Sequence, residues 1–220
     1  MNLLALETSG EYCSVALRTA DGSVALRHAE TPARHTEFLL PACAALCAEA
    51  GIALAALDGI AFGTGPGAFT GVRVAASAAQ GLALAFDLPV VGVSSLAALA
   101  RGGWRATGMR HQVPILDARR GEIYWAAYTL SPTGDTADAL VSDRLSAPIG
   151  LALPPGFDWV GIGAGLGLLQ DDPRIACPAL PREAIFPSAL DVVALALPVF
   201  AAGAARRAES ALPRYLRDPL

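Results

Sequence analysis

Short apolar runs separated by turn residues dominate the chain, and these runs are of two kinds. Compact blocks bounded by Gly, Asp or Pro are typical of buried strands, whereas longer segments with apolar residues every three or four positions are typical of helices. In the first part of the chain these patterns predict strands at residues 3–8, 12–18, 23–28, 57–63 and 89–93, and helices at residues 36–50, 70–86 and 94–101.

The second part of the chain repeats the opening pattern. Gly102 and Gly103 indicate a break after the third helix. Beyond this break an apolar strand ends in Asp117 and turns into a second strand, as the first strand ends in Glu7 before a hairpin. The elements predicted here are strands at 113–117, 122–130 and 159–163, a helix at 188–202, and a charged tail at 204–220 that lies along the surface.

This repetition predicts two similar α/β halves, residues 1–101 and residues 102–220. Duplicated halves that each begin with an acidic residue at a strand end are typical of the actin-like ATPase fold. That fold is a ribonuclease H-like (ASKHA) architecture, in which a nucleotide lies between the halves. A fold that hosts many activities does not assign a function by itself.

A glycine-rich stretch at residues 63–73, GTGPGAFTGVR, resembles a phosphate-binding loop that leads into a helix. A P-loop requires a lysine after its last glycine, and all 16 basic residues of this chain are arginine. We therefore interpret Gly63, Gly65 and Gly67 as positions that permit a tight backbone path. The following helix is expected to begin at Thr70, whose hydroxyl can cap it.

The net charge and the cysteine content disfavour several classes of function. The formal net charge is −4 and the arginines are scattered, whereas a protein that grips RNA by itself needs a dense basic patch. The four cysteines form no C-x-x-C pair, so a disulfide or zinc framework is not expected. The sequence offers no basic leader and no apolar stretch long enough for a membrane span, so we expect a cytoplasmic protein.

Seven ordered motifs carry a resemblance to a known family, and they lie at residues 4–17, 34–41, 63–73, 79–83, 92–100, 116–128 and 213–217. Together they resemble the TsaB family, also called YeaZ. The resemblance implies a non-catalytic subunit, without a cofactor, of the complex that forms threonylcarbamoyladenosine (t6A) in tRNAs that read ANN codons. It implies as partners the catalytic paralogue TsaD and the ATPase TsaE. A homodimer is the expected alternative in their absence, and tRNA is reached only through the complex.

The resemblance also bears on metal binding. The paralogue holds its metal with two histidines of one helix, and the matching positions here are Ser95 and Leu99. Leucine cannot coordinate a metal, and the three histidines, His28, His35 and His111, are widely spaced. We therefore expect no metal and no catalytic residue. The alternative is an active enzyme of the same fold: an ATPase, a carbamoyltransferase or a metallopeptidase.

Two sets of candidate site residues follow from the resemblance. The family builds a helical bundle with TsaD from the two long helices of the first half, so the candidates for partner contact are Phe38, Leu39, Ala42, Cys43, Leu46, Val72, Ala75, Ala76 and Ala79. A glutamate at position 46 is then expected to abolish tRNA modification while the protein stays folded. A vestigial nucleotide site would use Thr8, Ser9, Gly10, Asp117, Gly163 and Gly165. The alternative is that these residues only close turns.

Overall fold

Two five-stranded sheets form the framework of the protein. The structure is a computed structural model, and it describes residues 1–31, 34–169 and 172–217. The first sheet contains β1 (Leu3–Glu7), β2 (Tyr12–Arg18), β3 (Val24–Glu30), β4 (Gly59–Gly63) and β5 (Val90–Val93). The second contains β6 (His111–Arg119), β7 (Glu122–Leu130), β8 (Ala137–Ser146), β9 (Trp159–Ile162) and β10 (Ile175–Ala176). The helices are α1 (His35–Glu49), α2 (Phe69–Phe86), α3 (Ser95–Thr107) and α4 (Ala189–Ala201).

The two sheets share one topology. The strand order is β3-β2-β1-β4-β5 in the first sheet and β8-β7-β6-β9-β10 in the second. In each sheet the first three strands are antiparallel, and the fourth strand runs parallel to the first. The repetition confirms the two similar α/β halves and the actin-like, ribonuclease H-like fold class predicted from the sequence.

The helices form one layer outside the first sheet and one layer between the sheets. Leu4 and Leu6 of β1 point toward α1 and α2, whereas Leu3 and Ala5 point toward α4. This alternation is expected because successive side chains of a strand face opposite sides. On the second sheet, α3 covers the inner face and also packs against α4, so one continuous core joins the two halves. Irregular segments on either side of β9 cover the outer face.

The packing crosses the boundary predicted at residue 101. Helix α3 follows the last strand of the first sheet but packs on the second, and α4 returns from the second part to pack on the first. The tail returns as well. Arg206 pairs with Val90 at the edge of β5, and Ala208 and Ala211 are buried beside α2. The rest of the described tail, up to residue 217, is exposed or partly exposed, so these two small residues are the part of it that fills space against the first half.

Helix α3 also differs from the prediction in length. It continues through Gly102 and Gly103 to Thr107, where a break was expected. A Cβ at Gly103 would overlap the side chain of Gln112, and Gly102 faces the carboxylate of Asp191. These glycines therefore make room for neighbouring side chains rather than ending the helix.

Helix α2 begins at Phe69, with Ala68 at the N-cap position and no side chain capping the helix. The capping role expected of Thr70 is therefore wrong. By length and composition α2 is the one helix of the described residues that could cross a membrane. Because it packs on the first sheet and core helices pass the same test, this is weak evidence for a membrane segment.

Candidate functional site

The turn between β1 and β2 begins with three buried residues, and most of their polar groups bond within the chain, whereas the buried Ser9 hydroxyl has no hydrogen-bond partner among the described residues. Glu7 is 1% exposed, and its carboxylate accepts hydrogen bonds from the Ser9 backbone N–H at 2.6 Å and the Ser95 hydroxyl at 2.8 Å. Burial raises the pKa of Glu7, and the hydrogen bonds from Ser9 and Ser95 oppose this rise. The Thr8 hydroxyl donates to the Gly71 carbonyl oxygen at 2.7 Å.

The glycine loop closes over the same turn. The N–H of Ala68 donates to the Ser9 carbonyl oxygen at 2.7 Å. A Cβ at Gly67 would overlap that oxygen, so only glycine allows the loop to come this close. On another side of the turn, the ring of Phe186 lies against Gly10. The loop thus provides the tight backbone path predicted from its glycines, and it covers the turn.

The second set of predicted nucleotide residues lies at the carboxyl ends of β6 and β9. Asp117 accepts a hydrogen bond from the Arg119 N–H at 2.6 Å and pairs with its guanidinium at 3.0 Å. The N–H of Gly165 donates to the Ile115 carbonyl oxygen at 3.0 Å, and a Cβ at Gly163 would overlap that oxygen. The six residues therefore form two groups, one on each sheet, with contacts inside the chain. Nucleotide binding by them stays a prediction.

The positions matched to the paralogue's metal ligands lie in the interior. Ser95 and Leu99 are 0% and 1% exposed, the serine bonded to a carboxylate and the leucine in the core. The three histidines lie in separate elements, His28 in β3, His35 in α1 and His111 in β6. Among the residues described, no group of three or more His, Cys, Asp or Glu side chains is placed to hold a metal ion.

The predicted partner-contact residues lie mainly inside the protein. Phe38 is partly exposed, whereas the other eight are buried: Leu39, Ala42, Cys43, Leu46, Val72, Ala75, Ala76 and Ala79. They hold α1 and α2 onto the first sheet. Side chains with so little exposed surface offer little area to a second protein, and of these eight Leu39 lines the groove described next. Partner contact by these residues stays a prediction, and this conformation does not support it for the other seven. A glutamate at Leu46 would enter the core, so the structure speaks against the expectation that such a variant stays folded.

The opposite side of these helices carries a groove of about 480 Å³. Leu40 of α1 is 51% exposed and Phe69 of α2 is 58% exposed. Farther along α2, Leu84 is 58% exposed, and no atom lies within 4 Å of the position that a Cβ would take at Gly81. The groove is lined by Thr36, Leu39, Leu40, Phe69, Thr70, Arg73, Val74, Ser77 and Ala78.

Known proteins resemble this chain over most or all of its length. The family model described as "TsaD: tRNA N6-adenosine threonylcarbamoyltransferase" matches residues 29–158. The Escherichia coli (strain K12) "tRNA threonylcarbamoyladenosine biosynthesis protein TsaB" is 36% identical over 228 residues, which cover 99% of this chain and 95% of the relative. The chain belongs to the TsaB family. In Haemophilus influenzae, a protein with the same description is 42% identical over 57% of this chain and 53% of its own length.

Solved structures extend the TsaB assignment to the whole architecture. The structure described as "YeaZ from Pseudomonas aeruginosa" is 41% identical, with a TM-score of 0.89 over 98% of this chain and 99% of that chain. Another Pseudomonas aeruginosa structure, described as an uncharacterized protein with similarity to peptidase YeaZ, is 40% identical with the same TM-score. The segment matched by the TsaD model contains α1, the glycine loop and α2.

Proposed function

We propose that this TsaB-family chain is a non-catalytic docking subunit for a TsaD-type catalytic paralogue. It binds the paralogue through the exposed side of α1 and α2 and, together with the ATPase TsaE, activates it to form threonylcarbamoyladenosine in tRNA. The observation that carries the proposal is the open groove between these two helices. The names of the curated relatives support the same tRNA modification. The proposal places the protein in the cytoplasm, and tRNA is contacted only through the complex.

The docking face has the chemistry of a helix-binding surface. Leu40 and Phe69 supply exposed apolar area, and such patches mark interaction sites on proteins. Ala44, Ser77 and Gly81 are exposed and small, so the backbone of a partner helix can approach closely. The distance between packed helices depends on the side chains at their contact, and small ones permit the short end of the range. The proposed occupant is accordingly a helix or helix pair of the paralogue.

Activation without catalytic residues requires that the chain favour one conformation of its partner. A ligand shifts a conformational equilibrium only by its difference in affinity for the two states. The docking subunit must therefore bind the active arrangement of the paralogue more tightly than the inactive one.

A single substitution on the open side of α2 tests the proposal. Gly81→Glu places a carboxylate in the docking face, where a Cβ meets no other atom and glutamate is a better helix former than glycine. We expect the Kd for TsaD to rise on the order of 100-fold, or ~2.7 kcal/mol. Formation of t6A in a mixture with TsaD, TsaE and tRNA should fall in parallel. The matched control is Gly167→Glu, at an exposed position of the second half that also has open space.

Other outcomes would overturn the proposal. Equal affinity of Gly81→Glu and wild type for TsaD would remove the docking face from the interface. A homodimer that TsaD does not dissociate would make a second copy the occupant of this face. ATP hydrolysis, carbamoyl transfer or peptide cleavage by the purified chain alone would favour an active enzyme of the same fold.

A further inference from the structure

The C-terminal segment 206–217, which we name the strap, begins on the first half of the protein. Arg206 and Val90 exchange backbone hydrogen bonds of 2.7 and 2.8 Å at the edge of β5. Ala208 and Ala211 are buried in the core beneath α2, and the Gln80 amide of α2 donates to the Ala208 carbonyl oxygen at 3.4 Å. The first part of the strap is therefore held along α2, beside the docking face.

The strap then crosses to the second half. The N–H of Arg214 donates to the Thr64 carbonyl oxygen of the glycine loop at 2.8 Å. Three residues later, Arg217 pairs with Glu122 at 2.7 Å and donates to the Ala118 carbonyl oxygen at 3.1 Å. These contacts lie at the carboxyl ends of β4 and β6, the edge where α/β sheets commonly place their ligand sites. The strap thus contacts both halves of the protein at these strand ends.

A buried carboxylate anchors the crossing. Asp143 of β8 has a side chain only 1% exposed, and it accepts hydrogen bonds of 2.7 Å from both the Ser94 and the Tyr128 hydroxyls. Its ion pair, in the part of the chain that the structure describes, is with Arg214 of the strap at 3.3 Å. A buried carboxylate that loses its cation is destabilised. Lifting the strap would leave Asp143 in that state, so the closed position is favoured.

The strap also reaches the groove between α1 and α2. Tyr215 is 45% exposed, and its hydroxyl accepts a hydrogen bond of 2.6 Å from the Arg73 guanidinium. Its ring lies 5.7 Å from the ring of Phe69, and Arg73 stacks 3.8 Å above the same phenylalanine. Phe69 and Arg73 line the groove. Tyr215 therefore extends the groove at its Phe69 end.

We infer that the strap is part of the docking face, with Tyr215 as an end wall that contacts the TsaD-type paralogue and Asp143 as the positioning residue that holds the wall in place. The inference rests on the proposed function, because it takes the same partner on the same helices. Its new element is that the second half, through Asp143, controls a surface on the first half. Since coupling between two equilibria is reciprocal, partner binding also stabilises the closed strap.

Two substitutions with separate readouts test this. Asp143→Asn removes the anchoring charge while leaving the strap sequence intact, and Asp138→Asn removes an exposed charge from the same strand as its control. Trypsin cleavage after Arg214 reports how often the strap opens, since cleavage follows the open population when opening is fast. We expect Asp143→Asn to speed this cleavage and raise the Kd for TsaD, each about tenfold, and Asp138→Asn to change neither.

Tyr215→Ala removes the wall and keeps the anchor. It should raise the Kd for TsaD about tenfold. Because the Arg214–Asp143 ion pair remains, it should speed cleavage after Arg214 less than Asp143→Asn does. If Asp143→Asn does not fold, the Kd of Tyr215→Ala for TsaD still tests whether the strap is part of the docking face. Wild-type affinity in Tyr215→Ala overturns that role, and unchanged cleavage in Asp143→Asn overturns the anchor. If the wild-type chain does not bind TsaD, both the proposed function and the docking role of the strap are wrong. The cleavage rates of Asp143→Asn and wild type still test whether Asp143 anchors the strap.

Discussion

A glutamate in place of Leu46 should unfold the protein. Leu46 is 0% exposed and belongs to the core that α1 shares with the first sheet. Truncating such a leucine to alanine costs roughly 2.7–5 kcal/mol. A buried glutamate would also have to be protonated, which costs roughly 3–4 kcal/mol at pH 7 for a group with an ordinary pKa near 4.3. The sum, about 6–9 kcal/mol, is comparable to the whole stability of a typical domain, about 5–15 kcal/mol.

Urea unfolding followed by circular dichroism measures this effect, with Ala45→Glu as the control. Ala45 is the exposed neighbour of Leu46 on the same helix, so the same new side chain should change the free energy of unfolding by only about 0.5 kcal/mol. Leu46→Glu should show either no cooperative unfolding transition or a urea midpoint far below that of wild type. Equal midpoints for the two variants would mean that this side of α1 does not face the sheet. The argument that burial keeps Leu46 from contacting a partner would then fail.

Three further predictions concern buried titrating groups. Burial raises the pKa of Glu7, so Glu7→Gln should match or exceed wild type in urea midpoint at pH 7 and lose any advantage as the pH falls toward 4.5; a large loss at pH 7 would contradict this. Burial lowers the pKa values of His28 and His35, so their contribution to stability should be full above pH 6.5 and decline as the pH falls through the lowered values. If the urea midpoint changes equally with pH in wild type and in a variant with glutamine at both His28 and His35, this prediction is wrong. Burial raises the pKa values of Cys13 and Cys43 to about 12, so a thiol reagent should modify them only after unfolding, and rapid native labelling would show otherwise.

The strands of the two repeated hairpins were predictable because their signal is local. β1 and β2, like β6 and β7, combine buried apolar runs with a tight turn. β8 (Ala137–Ser146) was missed because it is an edge strand, paired on one side with β7 and exposed along most of its length. Its sequence therefore carries polar residues on both faces, and its one buried carboxylate, Asp143, gives no apolar signal.

The sequence limits the proposed docking face to two helices but not to one side of them. Apolar and small residues surround α1, with Ala42 buried and Ala44 exposed only two positions later. Helical spacing cannot separate a side that meets a sheet from a side that meets a partner when both are apolar. Leu39 and Leu40 show the same ambiguity, since one is 1% and the other 51% exposed. The strap depends on contacts far apart in sequence, such as Arg214 with Asp143, which no local pattern predicts.

The helices shared between the sheets limit how the protein can be divided. A fragment ending at residue 101 would lack α4, and the side of β1 that carries Leu3 and Ala5 would face water. The complementary fragment would lack most of α3 and leave the inner face of the second sheet uncovered. Each fragment would keep the core on the outer face of its sheet but lose the core shared between the sheets, so we do not expect the repeated halves to be autonomous folding units. Melting should accordingly occur in one step, and a split reporter built at this junction would assemble only when both fragments fold together.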